Sequence, residues 1–321
     1  MIEIIKNLKH RENLDKGYFH VENIPNYQNH LLGIDSNNYI ILLIKCKKED
    51  NIINPISSQG EYLDILYQKE CKIRNNDLEL EDVFTVLQLK SNNQLLINTF
   101  LNICEHILNK IGQLPNLDIT ATTLDSIKKL FSKLLNKTSK TELGLWGELF
   151  LIYISKDHEY LIDSWHKNSN NTFDFNDGID KVEVKTTIQS ERKHNFSLHQ
   201  LSSSVSDEVF ICSIMTTEID LGSSIIQLVE MISDKISMIY RLKLNEKMIE
   251  VAGKNIEEFN NKYDISTAKK SLKIYNSNKI PSIQKESIPV EVSNVKFTAS
   301  LEKIYSLENT DNKKGILSKI N

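Results

Sequence analysis

One short stretch of the chain carries the residue types that phosphodiester chemistry needs: Asp174, Glu183 and Lys185. Asp174 precedes Glu183 by nine residues, and Asp177-Gly178 between them suits a tight hairpin turn because glycine tolerates positive φ. Side chains alternate between the two faces of a strand, so Glu183 and Lys185 point the same way. The pattern predicts that two carboxylates and one ammonium converge at one end of a hairpin.

Such a set of groups is suited to cleavage of a phosphodiester with the help of a divalent metal. Asp174 and Glu183 supply hard oxygen ligands for Mg²⁺, and the backbone carbonyl of Val184 is a further candidate ligand. The metal lowers the pKa of a bound water and offsets the charge that builds on the phosphate. Lys185 is then placed to orient the attacking water or to stabilise the charged transition state.

A third carboxylate, Glu148, lies in a segment in which nearly every other residue is apolar. Residues 143–154 predict a helix that is buried all round. An unpaired buried carboxylate costs several kcal/mol, so Glu148 needs a partner, for which a metal site or Lys185 are candidates. Gly144 and Gly147 weaken the helix but let it approach another backbone closely.

Each of these acidic residues also has a purely structural interpretation. Alternating Glu and Lys residues, as at Glu183 and Lys185, are common on edge strands, where charge deters edge-to-edge pairing. Glu148 could form a structural salt bridge with a nearby lysine. Arg192, with the neighbouring basic residues up to His199, could hold phosphate or belong to a solvated loop.

Patterns along the rest of the chain predict the elements that hold these residues. Apolar runs and alternation predict strands over 39–44, 61–67, 83–89, 160–165, 171–176, 180–188, 207–216, 272–275 and 290–297. Helical spacing predicts helices over 92–111, 126–135, 142–155 and 223–244. The fold class is therefore α/β (mixed α+β). We expect a β-rich N-terminal domain over 1–115, a central core over 120–245, and a C-terminal α/β extension with a polar tail over 246–321.

Composition excludes several classes of protein. The 321 residues, 40% hydrophobic and 26% charged, predict a folded chain of about two domains. A net charge of -4 argues against a nucleic-acid binder that works by bulk charge, although a local basic patch is compatible with it. The four cysteines form no CxxC and predict reduced, mostly buried thiols. No apolar stretch is long enough to span a membrane, so we expect a soluble, cytoplasmic protein. There is no P-loop and no dinucleotide-binding glycine pattern.

The set Glu148, Asp174 and Glu183-Val184-Lys185 resembles the PD-(D/E)XK nuclease superfamily. That resemblance implies a restriction-endonuclease-like αβββαβ core. More narrowly, the run GLWGELFL, then DF, VEVKTT and a downstream Ser-x-x-Gln-Leu, is similar to the "PD-(D/E)XK motif protein" family, which occurs beside restriction-modification and phage-defence genes. The local match covers about residues 142–202.

The resemblance assigns roles to individual residues. It implies a catalytic set consisting of Glu148, Asp174, Glu183, Lys185 and Gln200, and metal ligands from Asp174, Glu183 and Val184. Gln200 also has a second interpretation, as a solvated residue behind a helix N-cap at Ser197. The sequence departs from the pattern at Phe173, which replaces the proline that names the motif.

The implied function is a Mg²⁺-dependent DNA endonuclease of a prokaryotic anti-phage defence or restriction system, with Mn²⁺ as a substitute metal. Its partners would be phage or foreign DNA and other defence proteins, with no membrane contact; an oligomer is left open. Two alternatives remain open. The chain could be a non-catalytic nucleic-acid-binding or assembly subunit that retains the nuclease fold, or a structural interaction module in which Glu148 and Lys185 form a buried salt bridge.

Overall fold

A computed structural model describes residues 1–9, 16–48, 55–75, 78–136, 138, 140–166, 173–201, 208–308 and 314–320. The chain forms two compact units, of which the first comprises Met1–Thr138 with Met248–Glu257 and the second Ser139–Lys247 with Glu258–Asn321. The boundaries of these units differ from those of the expected domains 1–115, 120–245 and 246–321. The expected domains, as segments that fold independently, stay a prediction.

The first unit is built around a six-stranded sheet with the strand order β1-β2-β3-β6-β5-β4. Its elements are α1 (Ile2–Lys9), β1 (Phe19–Ile24), β2 (Tyr27–Ile34), β3 (Ile40–Ile44), β4 (Ser58–Gln59), β5 (Leu63–Asn75), β6 (Leu78–Leu89), α2 (Gln94–Ile111) and α3 (Leu117–Ser132). All five residues of β3 are buried, which confirms the strand expected from the apolar run at 39–44. The helix expected over 92–111 is confirmed as α2, which ends at Gly112 with a φ of 73°.

The second unit holds the predicted site and is built around a four-stranded sheet with the order β12-β10-β8-β7. Its elements are α4 (Glu142–Ile154), α5 (His158–Ser164), β7 (Phe175–Asn176), β8 (Lys181–Thr187), β9 (Lys193–Ser197), α6 (Leu198–Leu201), β10 (Val209–Met215), β11 (Glu218–Ser223), α7 (Ile225–Ser233), α8 (Met238–Ala252, whose last residues belong to the first unit), α9 (Ile265–Ser271), β12 (Lys273–Asn276) and β13 (Lys296–Ser300). Strands β8 and β10 are parallel, whereas β7 and β12 are antiparallel to their neighbours.

The chain order α4, β7, β8, β9, α6, β10 follows the expected αβββαβ succession, with α5 inserted after α4. The mixed α+β fold class is confirmed. Within the part of the chain that the structure describes, β9 pairs with β13 rather than with the four-stranded sheet. The described part of the helix before β10, α6, comprises four residues, and residues 202–207 lie outside the described part of the chain.

Helix α4 packs against β8 at a glycine, which sets how closely the two elements approach. A Cβ atom added to Gly147 would lie 1.8 Å from the side-chain oxygen of Thr186. The glycine does permit close approach, but the expected neighbouring backbone is wrong, because the helix meets the Thr186 side chain of β8. Thr141 caps the helix by accepting a hydrogen bond from the Gly144 amide at 3.2 Å.

Several sequence-based assignments are wrong. Residues 160–164 form most of helix α5 rather than a strand, because Asp157 caps the segment and its apolar residues also fit helical spacing. Trp165 forms only an isolated antiparallel bridge with Phe175. The single helix expected over 223–244 is two helices, α7 and α8. The strand expected over 290–297 begins only at Lys296. The expected strand 171–176 is reduced to β7 within the described residues, and positions 171–172 lie outside them.

Two broader expectations concern thiols and membranes. All four cysteines are free and buried, as expected for reduced thiols in a folded core. Among the helices that the structure describes, none is both long and apolar enough to cross a membrane.

Candidate active site

Asp174 lies directly before β7, and its side chain completes the hydrogen bonding of β8. The β7–β8 pairing covers only Phe175 with Val182 and Asn176 with Lys181. Beyond it, the Val184 amide donates a hydrogen bond to Asp174 Oδ2 at 2.8 Å, so a carboxylate replaces the missing strand neighbour. Asp174 is 5% exposed. The hairpin thus brings Asp174 beside the strand that carries Glu183 and Lys185, as its turn predicted.

Glu183, Lys185 and Gln200 form one hydrogen-bonded group. Lys185 Nζ donates to Glu183 Oε1 at 2.8 Å and to Gln200 Oε1 at 3.3 Å. The Gln200 amide nitrogen also donates to Glu183 Oε1, and the Ser197 amide donates to Gln200 Oε1 at 2.9 Å. Gln200 therefore contacts the predicted catalytic pair, and the interpretation of Gln200 as a solvated residue does not match the structure.

The position of β8 in its sheet bears on the charged-edge interpretation of Glu183 and Lys185. Strand β8 lies between β7 and β10, so it is an interior strand. Glu183 is 5% exposed, which is unlike a solvated edge residue. Deterrence of edge pairing does not explain these two charges.

Glu148 is fully buried, and its partner is a lysine that the sequence did not single out. Its Oε2 accepts a hydrogen bond from Trp165 Nε1 at 2.7 Å, and Lys140 Nζ forms an ion pair with its Oε1. Lys140 also donates to Asp174 Oδ1 at 2.8 Å. Of the candidate partners of Glu148, Lys185 is therefore wrong, because Lys185 is held by Glu183 and Gln200. The alternative, a salt bridge between Glu148 and a nearby lysine, matches the ion pair with Lys140.

His166 completes the group around Glu148 and was also missed by sequence reasoning. Its Nε2 lies 2.9 Å from Glu148 Oε2 and 4.0 Å from Asp174 Oδ1, and its backbone amide donates to the Asp174 carbonyl at 2.8 Å. Its φ of 39° lies in the left-handed region that residues with side chains rarely adopt. The available signal was its place directly after Trp165, eight residues before Asp174. For Lys140 the only signal in the sequence was its position directly before Thr141, the residue that caps helix α4.

Burial perturbs two ionisable groups of the site in opposite directions. Burial, together with the negative charge of Asp174, raises the pKa of Glu183 from 4.5 to about 7, against the opposing effects of Lys185 and Lys140. Burial lowers the pKa of His166 from 6.5 to about 4, although Asp174 opposes this shift. At neutral pH His166 is therefore a neutral imidazole, and the Glu183 carboxyl group is partly protonated.

Potential metal-ligating atoms converge on one side of Asp174. Glu148, His166 and Asp174 each offer one ligand atom, and these atoms all lie within 4.8 Å of one another. The predicted ligands Glu183 and Val184 lie on β8. The structure shows the Val184 amide bound to Asp174, and metal ligation by the Val184 carbonyl stays a prediction. The catalytic roles of the five predicted site residues likewise stay predictions.

Arg192 and His194, two of the basic residues after β8, are buried and hydrogen-bonded, so these two do not form an open phosphate site. The Arg192 guanidinium is buried and donates to the carbonyl oxygens of Ser213 and Ser271 at 2.8 and 2.6 Å. His194 Nε2 lies 2.6 Å from Ser213 Oγ. Arg192 and His194 brace the interior of the second unit, and the side chain of His199 lies outside the described residues.

The αβββαβ order and the acidic and lysine residues at the start of its central hairpin define a protein of the PD-(D/E)XK class. This superfamily consists mostly of nucleases, which typically use divalent metals. A family model described as "Putative PD-(D/E)XK family member, (DUF4420)" matches residues 7–302, and the chain belongs to this family. Comparisons with curated proteins and with solved structures return no match.

Proposed function

We propose that the protein is a Mg²⁺-dependent DNA endonuclease that hydrolyses phosphodiester bonds in a prokaryotic anti-phage defence or restriction system. The observation that carries this proposal is the group formed by Lys185, Glu183 and Gln200 beside Asp174 on an interior strand. A partly buried lysine held by a carboxylate and an amide is costly to build and has a direct use in phosphoryl chemistry.

The residues present fit a divalent metal. Asp174 and Glu183 are both nearly buried carboxylates, and their mutual repulsion contributes to the raised pKa of Glu183. A cation between them would relieve that repulsion, and carboxylate oxygens are the ligands that Mg²⁺ prefers. The metal would supply an acidified water and a counter-charge for the phosphate. Asp174 and Glu183 would hold it, with the Val184 carbonyl as the third predicted ligand.

The chain's own residues would then orient the reactants. The Lys185 ammonium is aimed by Glu183 Oε1 and Gln200 Oε1, which restrict the directions in which it can donate hydrogen bonds. From there it can hold the attacking water or stabilise charge on the phosphate oxygens. Gln200 acts as a positioning residue, because it contacts both Glu183 and Lys185 and is itself fixed by the Ser197 amide.

DNA recognition would depend on partners. The net charge of -4 and the burial of Arg192 and His194 leave little positive charge to attract a phosphate backbone. We expect the isolated chain to bind DNA weakly, with affinity that falls steeply as salt rises, and other defence proteins in the cytoplasm to supply the targeting. A salt series of duplex binding tests this, and tight, sequence-specific binding at physiological salt by the chain alone would contradict it.

A second candidate function is a non-catalytic nucleic-acid-binding or assembly subunit. The observation that favours it is Lys140, whose ammonium contacts both Glu148 and Asp174 and neutralises part of the acidic cluster without a metal. In that case the cluster would stabilise the fold and the site would not cleave.

A cleavage assay separates the two candidates. Supercoiled plasmid, phage DNA and RNA are incubated with the full chain in Mg²⁺, Mn²⁺ or EDTA, beside Glu183→Gln and the exposed control Asp220→Asn. The endonuclease proposal expects metal-dependent nicking of DNA by the wild type and the control, and its loss in Glu183→Gln. Nicking that is equal in wild type and Glu183→Gln, cleavage of RNA alone, or no cleavage with any metal would overturn it.

A further inference from the structure

We propose that residues 315–320, here called the strap, position the β7–β8 hairpin for catalysis. The strap contacts the turn of this hairpin, residues 177–180, which lies three residues from Asp174 on one side and three from Glu183 on the other. The inference rests on the proposed function, because it assigns positioning residues to the proposed reaction. The family model ends at residue 302, so the strap lies outside the family match.

The hairpin has little support from its own strand pairing. Strand β7 is held to β8 by two residue pairs, and a two-stranded hairpin is marginally stable unless other elements pack on it. At the open end, the His166 amide donates to the Asp174 carbonyl at 2.8 Å. The placement of Asp174 beside β8 therefore also depends on what holds the turn at the other end.

The strap holds the turn through a buried carboxylate. Asp180 is 4% exposed, and its Oδ2 accepts a hydrogen bond from the Leu317 amide at 3.0 Å. Next to it, Asp177 Oδ2 accepts a hydrogen bond from the Tyr160 hydroxyl at 2.7 Å. A buried carboxylate that loses a donor carries a large desolvation cost, so the turn keeps its place only while the strap is docked.

Gly315 lets the strap lie directly against both aspartates of the turn. A Cβ atom added at this position would lie 2.6 Å from Asp177 Oδ2 and 2.8 Å from Asp180 Oδ2. Both oxygens are engaged in hydrogen bonds, so they cannot move away without a loss. The φ of Gly315 is 64°, in the left-handed region that favours glycine. A larger residue here must displace either the strap or the turn.

Apolar burial and contacts with two helices fix the strap to the second unit. Its aliphatic side chains are fully buried, namely Ile316, Leu317 and Ile320. Lys156, two residues beyond the end of α4, donates its amide to the Lys319 carbonyl at 2.8 Å. Lys319 Nζ lies 5.5 Å from the centre of the Tyr160 ring of α5. The strap thus joins the end of α4, helix α5 and the hairpin turn.

The expected consequence is precise placement of Asp174 against β8. The Val184 amide donates to Asp174 Oδ2 at 2.8 Å, and this hydrogen bond breaks if the hairpin shifts. A misplacement of about 1 Å in a catalytic site can lower a rate by roughly a hundredfold. Asp180, Gly315 and Leu317 are therefore positioning residues, which act on the reaction through Asp174.

The test measures amide hydrogen exchange by NMR on the full chain labelled at valine, without metal or DNA. The Val184 amide reports on the hairpin, and the Val229 amide of α7 reports on the rest of the second unit. Gly315→Ala is compared with Gly17→Ala. Gly17 also has a positive φ, 91°, but an added Cβ there would meet no atom within 4 Å.

A second pair of variants removes the acceptor of the strap instead of crowding it. Asp180→Ala leaves the Leu317 amide without its partner, whereas Asp180→Asn keeps an oxygen that can accept the same hydrogen bond. Cleavage of plasmid DNA is measured on the same proteins at saturating and at low DNA concentration.

We expect exchange of the Val184 amide to accelerate by roughly tenfold or more in Gly315→Ala and Asp180→Ala, with exchange of the Val229 amide unchanged. Gly17→Ala and Asp180→Asn should match the wild type at both amides. The cleavage rate at saturating DNA should fall by roughly a hundredfold in Gly315→Ala, with KM unchanged, because Asp174 is displaced while the DNA-binding surface is intact.

Unchanged exchange of the Val184 amide in both Gly315→Ala and Asp180→Ala would overturn the proposal. Equal acceleration at Val184 and Val229, or failure of both variants to fold, would make the strap a general stabilising element and overturn its positioning role. If only Gly315→Ala fails to fold, the two Asp180 variants decide by the same criterion.

Failure of the strap and failure of the proposed function give different results. Cleavage at the wild-type rate by a variant with accelerated Val184 exchange overturns the positioning role and leaves the nuclease proposal standing. A wild type that never nicks DNA overturns the nuclease proposal, whereas selective acceleration at Val184 still shows that the strap holds the hairpin.

Discussion

The two sides of Asp174 differ in how they are built. Asp174 Oδ2 accepts a hydrogen bond from the Val184 amide, and Glu183 and Lys185 flank Val184 in the sequence of β8. On the Oδ1 side it meets Lys140 and the group around Glu148, which come from separate segments. The first side is a local motif, and the second exists only because helix α4 packs on the sheet.

The two sides also differ in how their charge is balanced. Around Glu183 the ammonium groups of Lys185 and Lys140 do not offset burial and the charge of Asp174, so the pKa of Glu183 rises to about 7. Around Glu148, Lys140 reaches both carboxylates and Trp165 supplies a further donor. The side that retains a demand for positive charge is therefore the one on which the proposed Mg²⁺ would act.

Removal of the shared residue should give the largest effect, because it breaks both sides at once. Asp174→Ala is expected to abolish Mg²⁺ binding in calorimetry and to lower the cleavage rate by roughly a thousandfold or more. Circular dichroism should show that the fold survives. Asp220→Ala, an exposed aspartate of β11, is the matched control and should behave as wild type. An unchanged Mg²⁺ affinity in Asp174→Ala would refute the assignment of this residue as a ligand.

The next effect concerns pH and the Glu183 side alone. Because the pKa of Glu183 is raised to about 7, the folded chain keeps a proton that the unfolded chain has released above pH 4.5. In chelator, the free energy of unfolding should therefore fall as pH rises through 7, by at most about 1.4 kcal/mol per pH unit.

His166 acts in the opposite sense at lower pH. Its lowered pKa of about 4 makes stability rise with pH up to about 6.5, the range in which the unfolded histidine gives up its proton. The contribution of Glu183 to the free energy of unfolding is therefore measured between pH 6.5 and 8, by chemical denaturation at a series of pH values. Glu183→Gln should flatten the decline in that range. An equal slope in wild type and variant would show that Glu183 does not titrate there.

The smallest expected effect sharpens the description of the Glu148 side. Trp165→Phe removes the donor to a buried carboxylate and should cost about 1–3 kcal/mol in the free energy of unfolding. Trp146→Phe is the matched control, since the Trp146 ring nitrogen donates to the Ser223 carbonyl at 2.7 Å and not to a site residue. Both variants should lose stability in denaturant titrations, and Trp165→Phe should lose more, because it leaves a buried charged acceptor without its donor. An equal loss in the two variants would remove Trp165 from the account of the Glu148 side.

Features of the site that depend on local periodicity could be predicted from the sequence. Alternation placed Glu183 and Lys185 on one face of a strand, and the glycine turn returned the chain to Asp174. The burial of Glu148 was also predictable, because its neighbours are apolar. The partner of Glu148 was not, since Lys140 reaches it only through the packing of α4.

Other parts of the molecule carried weaker or conflicting signals. The segment that precedes His166 satisfies both strand and helix patterns. The sequence therefore predicts a strand where helix α5 lies, and it does not single out the histidine that follows this helix. In the first unit, β1 and the start of β2 carry polar residues and gave no strand signal, whereas the wholly apolar β3 did.

The most direct test of the nuclease account is a paired measurement of cleavage rate and Mg²⁺ affinity on Lys185→Ala. We expect this variant to lose cleavage and to keep Mg²⁺ affinity close to that of the wild type, because an ammonium is not a metal ligand. Lys185→Arg should also fail to cleave, since a planar guanidinium cannot replace a compact charge held by Glu183 and Gln200. Lys193→Ala, an exposed lysine of β9, should match the wild type in both measurements. Cleavage by Lys185→Ala at the wild-type rate would contradict the account.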